Sequence, residues 1–135
     1  LTVITNSLDI ATTLQAAGKD VLLLGGRMAA DVPATFGELT LSEIRRFRVD
    51  LCFSAPVAVH PATGAFFYDL QEAEIAIAMA AQALQSVILA DHSKLGKTSR
   101  VQSWEVGEIG RLVTNHAADE EQLAAFRQAG VDVVA

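Results

Sequence analysis

Sixteen acidic residues face only ten lysines and arginines in this chain, it holds a single cysteine, and no apolar stretch nears the length of a membrane span. Each shortage excludes something. The net charge is −6 and the isoelectric point about 4.9, whereas a domain that grips nucleic acid by itself carries a basic face. Direct contact with DNA is therefore not expected. One cysteine, Cys52, allows no disulfide and no thiolate zinc site within the chain, and it lies in the apolar run Leu51-Cys52-Phe53, where a thiol is inert. Such usage fits a reducing cytoplasm. A membrane helix needs about 20 apolar residues in a row, but Val21–Leu24 and Val87–Ala90 are short and bounded by glycine or charge, so no membrane partner is expected. No signal peptide is visible and there is no initiator methionine; the chain opens on a strand-like run, as a fragment of something longer would.

Catalytic patterns are equally scarce. No serine sits in a G-x-S-x-G surround, Gly25-Gly26 is not a G-x-G-x-x-G fingerprint, and His60, His92 and His116 fall outside metal-ligand spacing. No cofactor, no metal and no enzymatic activity are expected.

What is present is an apolar interior. Hydrophobic residues make up 51% and charged residues 19% of 135, and mean hydropathy is +0.33. These values suit one domain over residues 1–135 whose parallel strands are covered on both faces, with some subunit interface. The hydrophobic period alternates between strand and helix. Leu1–Ile4 reads as a strand; Asn6 or Ser7 caps a helix bearing Ile10, Leu14 and Ala17, ended by Gly18. Val21–Leu24 is a strand, residues 27–39 a loop, Thr40–Phe47 a short helix and Asp50–Ala55 a strand. Pro56–Phe67 is turn-rich, with a reversal marked by His60-Pro61 and Thr63-Gly64. The clearest helix runs from Asp69 to Leu84, with Asp69 and Glu72 spaced as a capping box and a body apolar nearly all round, which predicts burial on more than one side. Val87–Ala90 and Arg111–Thr114 are strands; Asp119 caps a helix running to Gly130, with Gln122 at the box position, and Val131–Val134 closes the chain. Strands alternating with helices predict an α/β fold, a single mostly parallel sheet flanked by helices.

Ligands in such sheets bind outside the carboxyl ends of the strands. Three polar segments fall there: Thr5-Asn6-Ser7, Gly25-Gly26-Arg27 and Asp91 to Lys97. The first can serve as plain helix caps or, with the helix N-terminus, as an anion site. Gly25 and Gly26 can form a tight turn or let backbone N–H groups approach a ligand. The third offers Asp91, Ser93, Lys94, Gly96 and Lys97 within seven residues. It can be an Asx-turn with solvated lysines, or it can place Lys94 on a phosphate and Asp91 or Ser93 on sugar hydroxyls. Of the two helix carboxylates, Glu72 reads as a cap and Glu74 as the one to face a cleft, since residues two apart point to nearly opposite sides. Arg45, Arg46 and Arg48 read as a solvated helix face, with a subunit contact as the alternative.

The residues also resemble a family. Val3-Ile4-Thr5-Asn6-Ser7-Leu8 and Val21–Gly26 resemble the "VTNSL … LLGG" opening of the DeoR-type sensor domain, and Glu72-Ala73-Glu74 with Met79 its "EAEvKraM" helix. Val87–Gly96 is similar to "vvLADsSKfG", and Leu112–Asn115 with Gly130–Val134 to the closing "LITD … GVeVi". The resemblance spans essentially the whole chain. It implies a fold related to ribose-5-phosphate isomerase and glucosamine-6-phosphate deaminase, sensing of a sugar phosphate or related phosphorylated metabolite, and homo-oligomerisation. It further implies a helix-turn-helix placed N-terminal to this region, through which alone DNA is bound, and a preceding "DsGTT" phosphate loop, so that residues 1–135 would be an N-terminally truncated effector-sensing domain. Two positions depart: Ser54-Ala55-Pro56-Val57 replaces "GADG", and Ala76 replaces the lysine of "EAEvK". Both would line the strand-end cleft, and a missing acid at position 56 counts against isomerase-like acid–base chemistry. An isomerase- or deaminase-like enzyme using Glu74 or Asp91, and an oligomerisation module with a decayed pocket, are the competing readings.

Overall fold

β-branched and aliphatic residues at the start of the chain make strand β1, Thr2–Thr5, which lies parallel to β2, Asp20–Leu23, with Val3 opposite Val21. The computed structural model describes residues 1–135, and its backbone gathers into two compact units, Leu1–Phe47 and Arg48–Ala135. In the first, helix α1 (Leu8–Ala16) links β1 to β2. Ser7, not Asn6, caps it: the Ser7 hydroxyl accepts from the Ile10 N–H at 3.2 Å. Residues 27–39 are not all loop. Arg27–Met28 (β3) and Thr35–Phe36 (β4) pair antiparallel, and two-residue strands leave no period to read. Helix α2, Glu38–Ile44, begins at Gly37, whose φ of +97° suits glycine, and buries Thr40, Leu41 and Ile44.

The second unit holds a four-stranded, wholly parallel sheet in the order β11-β10-β8-β5. Its strands are β5 (Val49–Ser54), β8 (Ala83–Leu89), β10 (Arg111–Val113) and β11 (Asp132–Val134). A mostly parallel sheet flanked by helices is thus found. Beside it stands an antiparallel sheet, β6-β7-β9, from β6 (Ala58–His60), β7 (Gly64–Phe67) and β9 (Val101–Glu105). The reversal expected near His60–Gly64 is the β6–β7 turn, but the strands on either side and β9 escape the sequence pattern. Phe66 and Phe67 are both buried, so no apolar–polar alternation marks β7.

Helix α3 runs from Leu70 to Ala81, capped by Asp69 accepting from the Gln71 N–H at 3.2 Å. It stops three residues short of Leu84, because Ala83 pairs with Val49 and the Gln82 carbonyl takes the Val49 N–H at 3.0 Å. Strand pairing wins over helix propensity there. Burial on more than one side is found: Ala73 and Ile75, two apart and so on nearly opposite sides, are both buried, as is Ala76, although Ile77 is 47% exposed. Helix α4, Glu120–Gln128, buries Leu123 and Phe126. One core joins both helices and both sheets through Val59, Ala76, Ile88, Trp104, Leu112 and Phe126. Covering on both faces holds for β8, whose adjacent Val87 and Ile88 are both buried, but not for β5. Along β5, Cys52 and Ser54 are buried and Leu51 and Phe53 exposed, because the helices of this unit serve the Cys52 side.

Burial pushes the Cys52 thiol up to about 11, as the sequence anticipates for an inert cysteine. The thiol therefore stays neutral in the fold, and this part of stability is complete below about pH 9 and is lost as pH rises toward 11. Two pKa units mean about a hundredfold less thiolate. Alkylation by maleimide near pH 8 should then be at least about a hundredfold slower in the native chain than in urea. Equal rates would show that Cys52 is open to solvent.

Candidate functional site

Strand β8 ends at Leu89, and the chain turns at once through Asp91 into a single 3-10 turn, His92–Lys94. Asp91 makes that turn. Its carboxylate accepts from the Ser93 backbone N–H at 2.8 Å and from the Ser93 hydroxyl. These bonds, the hydroxyl first, hold the Asp91 carboxyl below the ordinary carboxylate range, so it is ionised. Lys94 Nζ lies 3.9 Å from Asp91 Oδ2, with both side chains partly exposed. Such a pair contributes little, which leaves the ammonium available to a stronger anion.

The rest of the loop is clamped from three sides. Gly96 N–H donates to the Val59 carbonyl at 2.8 Å, and Leu95 is buried beside Val59. Gln122 does not complete a capping box on α4; its Nε2 reaches out to the Leu95 carbonyl at 3.2 Å. A Cβ on Gly96 would stand 2.7 Å from that same nitrogen, which can swing aside, so it is the φ of +75° that favours glycine. Asn115, the second residue past β10, accepts the His92 N–H on Oδ1 at 2.9 Å. The sequence reading missed Asn115 and Gln122 as parts of this site. Asn115 carried a signal, since it stands at a strand's carboxyl end; Gln122 carried none, because a capping position explained it. The turn thus joins the carboxyl ends of β8 and β10, neighbours in the parallel sheet.

The other candidates are placed as follows. Thr5 Oγ1 accepts the Ser7 N–H at 3.1 Å, Asn6 Nδ2 donates to the Thr35 carbonyl at 2.8 Å, and Leu8 N–H donates to the Pro33 carbonyl at 2.8 Å. The donors opening α1 are largely spent inside the unit, and Asp9 adds negative charge in the first turn. Leu24 N–H meets the Thr5 carbonyl, which sets Gly25 beside that segment. Gly25 N–H donates to Glu43 Oε1 at 2.7 Å and its carbonyl accepts from Thr40 Oγ1 at 2.6 Å. A Cβ on Gly26 would fall 2.0 Å from Thr40 Oγ1. The two glycines admit α2 rather than standing open. Glu74 is exposed on α3 and shares no hydrogen bond or ion pair with the 91–96 turn. A cavity of about 390 Å³ opens elsewhere, between Arg48–Asp50 and Ala81–Leu84. It lies at the amino ends of β5 and β8, where parallel sheets do not ordinarily take ligands.

With these positions fixed, similarity adds the class. The family model of the DeoR C terminal sensor domain matches residues 1–116. The chain belongs to that family. Among similar proteins are the HTH-type transcriptional repressor GlcR of Bacillus subtilis, 30% identical over 98% of this chain and 52% of its own length, and the HTH-type transcriptional regulator GlpR of Haloferax volcanii, 31% identical over 97% and 51%. A glycerol-3-phosphate regulon repressor of Haemophilus influenzae is 29% identical over 84% and 45%. The chain spans about half the length of these curated relatives. No helix of this sensor domain is long and apolar enough to cross a membrane.

In the first departure from the family pattern Ser54 and Pro56 are buried and Ala55 and Val57 exposed. Pro56 is fully buried. Ala76 does not line a cleft as expected from the sequence; it is 6% exposed, and its carbonyl accepts the Trp104 Nε1–H at 2.9 Å. A small residue is what lets the indole pack there.

Proposed function

We propose that this sensor domain binds a phosphorylated sugar or a related phosphorylated metabolite at the Asp91–Gly96 turn. In this reading a bound ligand controls operator affinity through a helix-turn-helix outside these 135 residues, and the domain works as a homo-oligomer without catalysis. The observation that carries the proposal is a partly exposed lysine on a turn pre-clamped at the carboxyl ends of two adjacent parallel strands. Lys94 supplies the charge for a phosphate, Ser93 and the turn's backbone supply hydrogen bonds, and ionised Asp91 keeps the turn closed. Relatives bearing the name glycerol-3-phosphate regulon repressor support an anionic ligand of this size.

Thermal shift against glycerol 3-phosphate and a panel of phosphorylated sugars and polyols tests it. At 100 times its dissociation constant a specific ligand should stabilise the fold by about 2.7 kcal/mol, a rise in Tm on the order of 10 °C. Lys94→Ala should abolish most of that rise while leaving the unliganded Tm within a degree or two. No stabilisation by any phosphorylated compound would sink the proposal.

A further inference from the structure

Asn115 does more than hold the backbone of the turn. Its Oδ1 is fixed as the acceptor, because it takes the His92 backbone N–H at 2.9 Å; exchanging the amide's ends would set two donors against each other. With that end fixed, Nδ2 lies 3.1 Å from His92 Nδ1, marginally nearer than Oδ1 at 3.2 Å. An amide nitrogen only donates: donation from Nδ2 needs the Nδ1 lone pair and puts the ring proton on Nε2, whereas a proton on Nδ1 would go to Oδ1, which already holds the His92 N–H, and would leave Nδ2 without an acceptor in the protein. Nε2 itself has no partner in the protein, and His92 is exposed. Ser93 and Lys94, the residues proposed above to meet the ligand, follow it directly in the same 3-10 turn.

We propose that Asn115 is a positioning residue that locks His92 in its neutral Nε2–H form, and that His92 is a specificity-determining donor reading a hydroxyl of the ligand held by Lys94. The ligand half rests on the function proposed above; the tautomer half does not. A neutral N–H donor suits an uncharged hydroxyl, which a second ammonium beside Lys94 would not discriminate from any other anion. Asn115→Asp separates the two tautomers. A carboxylate there could only accept, and would draw the ring proton onto Nδ1 instead.

Long-range ¹H–¹⁵N correlation spectra of the 135-residue chain, recorded at about pH 8 where an imidazole is neutral, decide the first half. His60 is an internal standard, since its Nδ1 accepts the Ala62 N–H at 3.0 Å and so enforces the Nε2–H form. His92 should show the same pattern as His60 in the wild type and the inverted, Nδ1–H pattern in Asn115→Asp. That variant keeps an oxygen for the His92 N–H, so the turn survives it. An Nδ1–H tautomer in the wild type, or no change in Asn115→Asp, would overturn the proposal. For the donor role, titration with glycerol 3-phosphate and with inorganic phosphate should show about tenfold weaker binding of glycerol 3-phosphate in His92→Phe. Recovery is expected in His92→Gln, whose amide N–H reaches nearly as far as Nε2, with little change for inorganic phosphate. Equal affinity of His92→Phe and wild type for glycerol 3-phosphate would refute the donor. If the wild type binds neither probe, the sensing function fails, and the tautomer still stands or falls on the spectra.

Discussion

Replacing Trp104 with alanine should lower the free energy of unfolding by about 3–5 kcal/mol, a large part of what a domain of this size possesses. Trp104 is fully buried on β9 and sits in the one cluster that ties the antiparallel sheet to α3, α4 and the parallel sheet. Its nitrogen is spent on the Ala76 carbonyl, so the indole brings no unpaired polar group into the core. Removing it empties a volume lined by side chains from several elements, and such a space does not collapse easily. Trp104→Phe keeps most of the packing and loses only the N–H, so it should cost about 1–2 kcal/mol. Urea denaturation followed by circular dichroism measures both. A loss no larger than that from trimming the 87% exposed Leu84 to alanine would show that β9 is not held as described.

A single methyl at Gly64 should do comparable damage. Gly64 adopts φ +121°, and a Cβ there would lie 2.0 Å from the Trp104 carbonyl oxygen and 2.9 Å from the Glu105 backbone. Those neighbours are backbone atoms of the adjacent strand, so no side chain can swing aside. The position also carries two pairings, to His60 on β6 and to Glu105 on β9, with a bulge just after it. Strain and clash together should cost Gly64→Ala more than about 3 kcal/mol. Gly18→Ala is the control: φ is +75° but nothing lies within 4 Å, so only conformational strain remains, about 1–2 kcal/mol. The idea fails if the two variants share one unfolding midpoint.

These two residues also mark where the sequence stops being informative. Neither Trp104 nor Gly64 stands out by pattern. Trp104 lies in a five-residue strand that the hydrophobic period did not reveal, and Gly64 looked like any turn glycine beside Thr63. Strand β9 joins β7 by non-local pairing, between residues as far apart as Gly64 and Glu105, and local periodicity carries no record of a distant partner. By contrast α1, α4, the parallel strands β5 and β10 and the second half of β8 were legible. Each announces itself locally, through a cap such as Ser7 or Asp119 or through a short apolar run such as Val87–Leu89.

For the candidate site the division is similar. The alternation of strand and helix determined by itself that this is an α/β domain. The residues of the "vvLADsSKfG" stretch put Asp91, Ser93 and Lys94 at a strand end. Only the tertiary structure decided which of those groups remain available. Asp91 turned inward to Ser93, Leu95 answered to Gln122, and the hydroxyls and glycines of residues 5–7 and 25–26 proved to be taken up by Thr35, Thr40, Glu43 and their own helix cap. A sequence names the donors and acceptors a chain possesses, but hydrogen bonds between residues 18 to 29 positions apart settle which are already satisfied. That is why Asn115, unremarkable as a letter after a strand, emerges as the residue that sets the orientation of His92.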